Sequence, residues 1–149
     1  MIDLEDARQI VGARNVIDAT TLRDRPQDFW INTPTQALGL VKPADTVELS
    51  AILALCHEHG QAVIFEGGRT NLVGATQSDG ETLLISLERL NHIGAPDRKG
   101  MTIEVGAGAI VEAVQQHCAD EGLRFGLDFG ARGSAMIGGA LATNAGGFQ

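Results

Sequence analysis

The stretch Ala62-Val63-Ile64-Phe65-Glu66-Gly67-Gly68-Arg69-Thr70-Asn71-Leu72-Val73-Gly74 passes from a short apolar run straight into a polar, glycine-bearing loop. Residues 62–65 read as a buried strand. Upstream, Asp45 is placed to cap a helix, and Glu48 stands three residues later, the spacing of a capping box. Leu49, Ile52, Leu53 and Cys56 follow at i, i+3, i+4 and i+7, a single apolar helix face. His57 and His59 fall in its last turn and Gly60 closes it. Before this helix, residues 37–41 form an apolar run that stops at Lys42-Pro43, as a strand does. The unit is therefore strand, helix, strand, with the loop at 67–74 leaving the carboxyl edge of the sheet.

Two adjacent glycines in that loop allow successive N–H groups to converge on one point, a nest for an anion. Thr70 adds a hydroxyl donor and Asn71 an amide. A diphosphate, with two negative groups and many acceptor oxygens, matches this set of donors. Two better-known phosphate signatures are absent. No Lys-Ser/Thr follows the last glycine, as a Walker loop requires. Gly106-Ala107-Gly108 begins a dinucleotide fingerprint, but its third glycine would fall at Val111. A plain tight turn also accounts for a Gly-Gly pair, so the loop alone leaves both readings open.

Further along, residues 82–87 read as a strand, and residues 91–95 and 101–105 as two strands flanking a hairpin turn at Pro96-Asp97-Arg98-Lys99-Gly100. A second helix is expected over 110–121, with Val111, Val114 and Cys118 on one face and Gly122 at its end. Residues 4–11 have weak helical character, and 20–35 read as an irregular arm in which Phe29 and Trp30 could anchor to the core or to another subunit. The natural division is an N-terminal helix and arm over 1–36, a first lobe over 37–90 and a second over 91–149, with a ligand crevice between the lobes.

The last stretch, Leu127-Asp128-Phe129-Gly130-Ala131-Arg132-Gly133-Ser134-Ala135-Met136-Ile137-Gly138-Gly139-Ala140-Leu141-Ala142-Thr143-Asn144-Ala145-Gly146-Gly147, holds almost nothing but small side chains. The chain has 19 glycines in 149 residues, many of them concentrated in 67–74 and 126–147. That concentration asks for close approach of the backbone to something. Close packing of one backbone on another explains part of it. A core also needs bulk, and a large flat ligand would supply what is missing here.

The two stretches resemble the paired signatures of the FAD-binding fold shared by vanillyl-alcohol-oxidase-type and glycolate-oxidase-subunit-D-type flavoproteins. Gly67-Gly68-Arg69-Thr70-Asn71 is similar to that family's pyrophosphate loop. Ser134 through Gly147 is similar to its Ser-x-x-Ile-Gly-Gly…Ala-Thr-Asn-Ala-Gly-Gly stretch, and Ile103 through Gly108 to the strand and turn before the second helix. The order and spacing hold from about residue 40 to the end. Residues 127–134 look most like the D-2-hydroxyglutarate and D-lactate dehydrogenase branch, although Ala140 stands where close relatives carry Asn.

The resemblance implies an α+β, two-lobed FAD-binding domain of the PCMH type, a small βαβ lobe plus a second α+β lobe, truncated at its C-terminus. It implies an oxidoreductase that moves a hydride from a D-2-hydroxy acid to FAD. Cofactor contacts are expected from Gly67, Gly68, Arg69, Thr70, Asn71, Leu72 and Gly74, and from Leu127, Gly133, Ser134, Ile137, Gly138, Gly139, Thr143, Asn144 and Gly146. Some relatives carry a flavin-linked His where this chain has Arg69, so the FAD is expected to be non-covalent. A side chain at Gly68 is expected to stand in the way of the diphosphate and leave the fold intact. No catalytic residue is expected in this segment, since the substrate-binding part would lie beyond Gln149. Two other readings stand beside this one: an FAD-fold reductase of another substrate class, such as a UDP-sugar reductase, and a non-catalytic interaction module.

Other classes are excluded or disfavoured. A net charge of −8 leaves no electrostatic footprint for nucleic acid or an anionic membrane. The acidic start lacks a signal peptide's basic region, and no apolar run approaches the ~20 residues of a membrane span; a cytoplasmic location is expected, with self-association left open. Hydrophobic residues at 44% and charged residues at 20% mark a folded globular chain. Cys56 and Cys118 read as buried thiols. The four histidines have no metal-ligand spacing, so no metal is expected. Asp79 and Glu81 read as solvated loop residues.

Overall fold

A computed structural model describes residues 1–27 and 33–147. Phe29 and Trp30 lie outside the described residues. The first half is built on a four-stranded sheet of β1 (Val16–Asp18), β2 (Gly39–Val41), β3 (Val63–Glu66) and β4 (Leu83–Ser86), in the order β1-β2-β4-β3. β2, β4 and β3 run parallel, and β1 lies antiparallel at the edge, with Val16 opposite Val41. α1 (Leu4–Val11) and α3 (Thr46–Glu58) cover one face, and a short α2 (Ala19–Leu22) contributes to the other.

Alternation along the strands divides the apolar residues between the two faces. Val41, Leu83 and Ile85 join Ile52 and Cys56 of α3 and Ala7 and Val11 of α1 in one core. Leu40 and Leu84, one residue out of phase, pack with Leu22 and Ala37 on the opposite side. All four residues of β4 are buried, as expected for a parallel strand covered on both faces. The N-terminal residues Ile2, Ala7, Val11 and Val16 belong to the same core as the sheet.

Asp45 caps α3 through Oδ1, which accepts from the N–H groups of Val47 and Glu48, both at 2.8 Å. Glu48 reaches back one residue further than a capping box requires, accepting from Ala44 N at 2.7 Å. At the other end, Gly60 N donates to His57 O and Gln61 N to Cys56 O, with Gly60 at φ +60°, a left-handed closure. β1 is a strand that periodicity does not reveal, because it has only three residues. Its pairing with β2 makes it an edge strand of the sheet.

α2 is capped by Asp18, and this carboxyl is unusually acidic. Hydrogen bonds from the Thr20 hydroxyl, the Thr21 N–H and the Thr21 hydroxyl lower it to about 2. Because the folded value lies below the unfolded one, the contribution to stability is complete above pH ~4 and is lost as pH falls toward 2. Carboxyl NMR is expected to show Asp18 titrating near 2; a midpoint near 4, the ordinary Asp value, would mean the cap is not formed. Asp79 is exposed, as read, but it is also engaged: it accepts from Thr82 Oγ1 at 2.6 Å, Thr82 N at 2.9 Å and Glu81 N at 3.1 Å, fixing the turn into β4.

The second half has its own core. Val111, Val114 and Cys118 of α4 (Val111–Asp120) pack with Ala109, Ala135 and Ile137, and Leu127, Phe125 and Ile103 close around them. The expected hairpin is present only as isolated bridges, Ile93 to Val105 and Asp97 to Thr102, and no regular strand forms there among the described residues. A helix that the sequence reading lacked, α5 (Ile137–Ala142), lies inside the small-residue stretch.

Cys56 and Cys118 are both buried free thiols. Among the described residues no helix is long and apolar enough to cross a membrane, and no cluster of His, Cys, Asp or Glu could hold a metal ion.

Candidate functional site

The loop after β3 and the small-residue stretch around α5 face each other across one cleft of about 420 Å³. β3 brings the loop there because its last residue, Glu66, ends at the carboxyl edge of the parallel strands, the usual binding edge of such sheets. Gly67, Gly68, Arg69, Thr70, Asn71 and Leu72 all line the cleft from this side, and Gly139, Thr143 and Gly146 line it from the other. Phe65, Val73, Thr76, Phe129 and Met136 also face it, as do the alanines at 75, 131, 135, 140, 142 and 145. The alanines carry no polar signature, which is why reading by motif passes over them.

The glycines fall into two physical groups. A Cβ on Gly68 would stand 1.9 Å from Ser134 O, so here the loop backbone lies directly against the second half. This overturns the expectation that a side chain at Gly68 would obstruct only a ligand; it would first part the two walls. Gly138 is similar, its Cβ position 2.9 Å from the Ala107 Cβ and 3.0 Å from Ala107 O. Gly106 and Gly108 are pressed against Leu90 O and Leu87 O, with Cβ positions at 2.0 and 1.8 Å. The Gly106-Ala107-Gly108 turn is therefore a packing surface. Gly139 and Gly146 differ: nothing lies within 4 Å of a Cβ on either, and both border the cleft.

The remaining expected contact residues support the walls from behind. Leu127 and Ile137 belong to the core of the second half. Ser134 supplies the carbonyl under Gly68. Gly138 N donates to Ala107 O at 2.8 Å and Ile137 N to Ala109 O at 2.9 Å, which fixes the start of α5. Asn144 adopts φ 48° and ends that helix, with Asn144 N bonded to Leu141 O and Ala145 N to Ala140 O. That pattern is a Schellman closure, in which asparagine substitutes for glycine. Gly74 turns the loop at φ +69°, and Gly133 sits beside the Glu112 carboxylate, 3.2 Å from its Cβ position.

Side chains of the loop shape it as much as they line it. Asn71 Oδ1 accepts from Val73 N at 3.1 Å and Ala75 N at 3.0 Å, while its amide donates to Thr76 Oγ1 at 3.3 Å. Its oxygen is thus the device that curls the loop. Arg69, at φ 53°, donates from Nη1 to Pro26 O at 2.7 Å. Glu66, only 4% exposed, is paired with Arg25. Arg132 belongs elsewhere. It binds Asp128 at 2.8 Å and Glu112 at 3.4 Å beside a separate polar depression, and its hydrogen bond holds the Asp128 carboxyl below its ordinary value.

The cleft suits a large flat ligand with an anionic part. Its volume lies in the range of small-molecule sites, its α5 wall offers open backbone at Gly139 and Gly146, and its opposite wall is a glycine turn able to present N–H groups. Phe65, Leu72 and Val73 are exposed at 45%, 76% and 73%, an apolar margin beside the polar turn.

Known proteins agree with this geometry. The family described as FAD binding domain matches residues 37–149. The D-2-hydroxyglutarate dehydrogenase of Xanthomonas citri pv. viticola is 34% identical over 154 residues, covering 95% of this chain and 31% of that protein. The mitochondrial D-2-hydroxyglutarate dehydrogenase of Bos taurus is 32% identical over 148 residues, covering 99% of this chain and 27% of that protein. The chain thus spans under a third of the length of these curated relatives. A solved alkyldihydroxyacetonephosphate synthase superposes with a TM-score of 0.84 at 21% identity, covering 97% of this chain and 32% of that one, and shares the fold. Two facing loops around one cleft, and a family match that spans both, lead to one conclusion: this chain belongs to the FAD binding domain family, and FAD is its cofactor.

Proposed function

We propose that the full-length protein is an FAD-dependent dehydrogenase that oxidises a D-2-hydroxy acid to the 2-oxo acid. The observation that carries the reading is the meeting of the 67–72 loop and the α5 stretch on one cleft lined mostly by glycine, alanine and threonine. Support for the substrate class comes from the names of the relatives, which include D-2-hydroxyglutarate and D-lactate dehydrogenases.

In this reading the turn at 67–72 holds the diphosphate with main-chain N–H groups and the Thr70 hydroxyl. The cost of ordering such donors is met during folding, because Asn71 and Pro26 already fix the loop. Gly139, Thr143 and Gly146 border the flavin from α5 and the residues after it. Gly68, Ser134 and Gly138 hold the walls at the right separation, and Leu127, Gly133, Ile137 and Asn144 act through the fold behind them. Bound FAD supplies the hydride acceptor, and the chain supplies orientation and a partly desolvated wall. Arg69 offers no imidazole for a covalent link, so the flavin is held non-covalently.

Anaerobic addition of D-2-hydroxyglutarate or D-lactate to the purified full-length protein is expected to bleach a flavin absorbance band, and acid precipitation is expected to release all of the flavin into the supernatant. A yellow protein that neither acid bleaches would sink the substrate class while leaving the cofactor reading intact. Flavin that stays with the acid pellet would sink the non-covalent assignment.

A further inference from the structure

Three consecutive residues, 25–27, are fastened along the outside of the glycine turn and the segment after it. The Arg25 guanidinium binds both carboxylate oxygens of Glu66. Pro26 O accepts from Arg69, Gln27 Nε2 donates to Ser78 O at 3.2 Å, and Gln27 O accepts from Thr76 Oγ1 at 3.4 Å. Arg25 is itself held from behind, since its carbonyl accepts from both the N–H and the hydroxyl of buried Thr35, each at 2.8 Å.

The chemistry of the pair bears on the cleft. Glu66 is the last residue of β3, and its two chain neighbours, Phe65 and Gly67, both line the cleft. Its side chain is 4% exposed, so water does little to screen it. A buried carboxylate next to a turn that must seat an anion is an unfavourable arrangement, because like charges repel strongly where solvent is excluded. Arg25 is the group placed to cancel it.

We propose that Arg25 is a positioning residue for the cofactor's diphosphate and that it works by charge, neutralising Glu66 so that the turn at 67–72 can receive an anion. The inference rests on the FAD reading of the cleft given above. A mechanical brace and a charge-cancelling pair differ in what they predict, because a brace fails when either partner is lost and a charge pair weakens binding only when the arginine is lost.

The experiment compares wild type, Arg25→Met, Glu66→Gln and the double variant in the full-length protein, measuring FAD affinity by fluorescence titration and the melting temperature of the flavin-free form. Arg25→Met is expected to weaken FAD binding by on the order of tenfold. Glu66→Gln is expected to leave affinity unchanged or to tighten it, although it lowers the melting temperature. The double variant is expected to recover most of the affinity lost in Arg25→Met. Should Arg25→Met fail to fold, Arg25→Lys keeps the charge without the planar fork and is expected to bind FAD nearly as wild type while melting lower. Loss of affinity in both single variants without recovery in the double, or a Lys variant that binds poorly, overturns the proposal and leaves a purely mechanical brace. A wild-type protein that binds no FAD overturns the cleft reading itself, a result distinct from any pattern among the variants.

Discussion

Gly68→Val is expected to remove the flavin and to destabilise the flavin-free protein as well, by about 3 kcal/mol. The cause is steric and lies within the protein. The first atom of any side chain at this position would stand 1.9 Å from Ser134 O and 2.7 Å from Ser134 C, both backbone atoms that no rotamer change can withdraw. The glycine turn must then move off the second half, and the cleft widens along the line where the diphosphate would be gripped. Thermal melting with and without FAD checks both parts. A variant that loses its flavin at an unchanged flavin-free melting temperature would show that the clash is with the ligand alone and that the 68–134 contact carries no stability.

Gly139→Leu is the complementary case, with the two effects separated. Nothing lies within 4 Å of a Cβ at this position, and the residue borders the cleft from α5. Leucine would project into open space that the flavin needs, and FAD affinity is expected to fall by about 100-fold, equivalent to ~2.7 kcal/mol. The flavin-free protein is expected to hold its stability or gain up to ~1 kcal/mol, because glycine is a poor helix residue and leucine a good one. Absorbance of the purified variant and a melting curve decide it. Normal flavin content in Gly139→Leu would remove α5 from the wall of the cofactor site.

These two glycines show what the sequence can and cannot say. Periodicity places α3 and α4 well because each buries an apolar stripe and ends in a glycine, Gly60 and Gly122, at φ +60° and +68°. The same closure at Asn144 ends α5, but the helix it terminates was illegible. Two of its six residues are glycine, each costing about 1 kcal/mol relative to alanine in a helix. α5 persists because Ala107 and Ala109 carbonyls receive its first N–H groups, a tertiary effect with no local trace. Asn144 stands by its motif among the expected cofactor contacts, and its backbone angle gives it a capping role that the motif does not reveal.

Composition carried the site further than pattern did. A run of small residues correctly pointed to a wall with room beside it, and the loops at 67–72 and 139–146 do meet there. What composition could not separate is a glycine that accommodates another backbone from one that accommodates a ligand. Gly68, Gly106, Gly108 and Gly138 are of the first kind, whereas Gly139 and Gly146 border the cleft with open space at the Cβ position, and only the distances tell the two groups apart. β1 escaped notice for a different reason. Three residues are too few to show alternation, and the strand exists because β2 offers an edge to pair with.

The close approach of main chain to main chain at Gly68, Gly106 and Gly108 has a kinetic corollary. A seam of main chain against main chain has no rotamer flip that could loosen it, so any widening there has to move backbone, a slower motion than the flip of an exposed side chain.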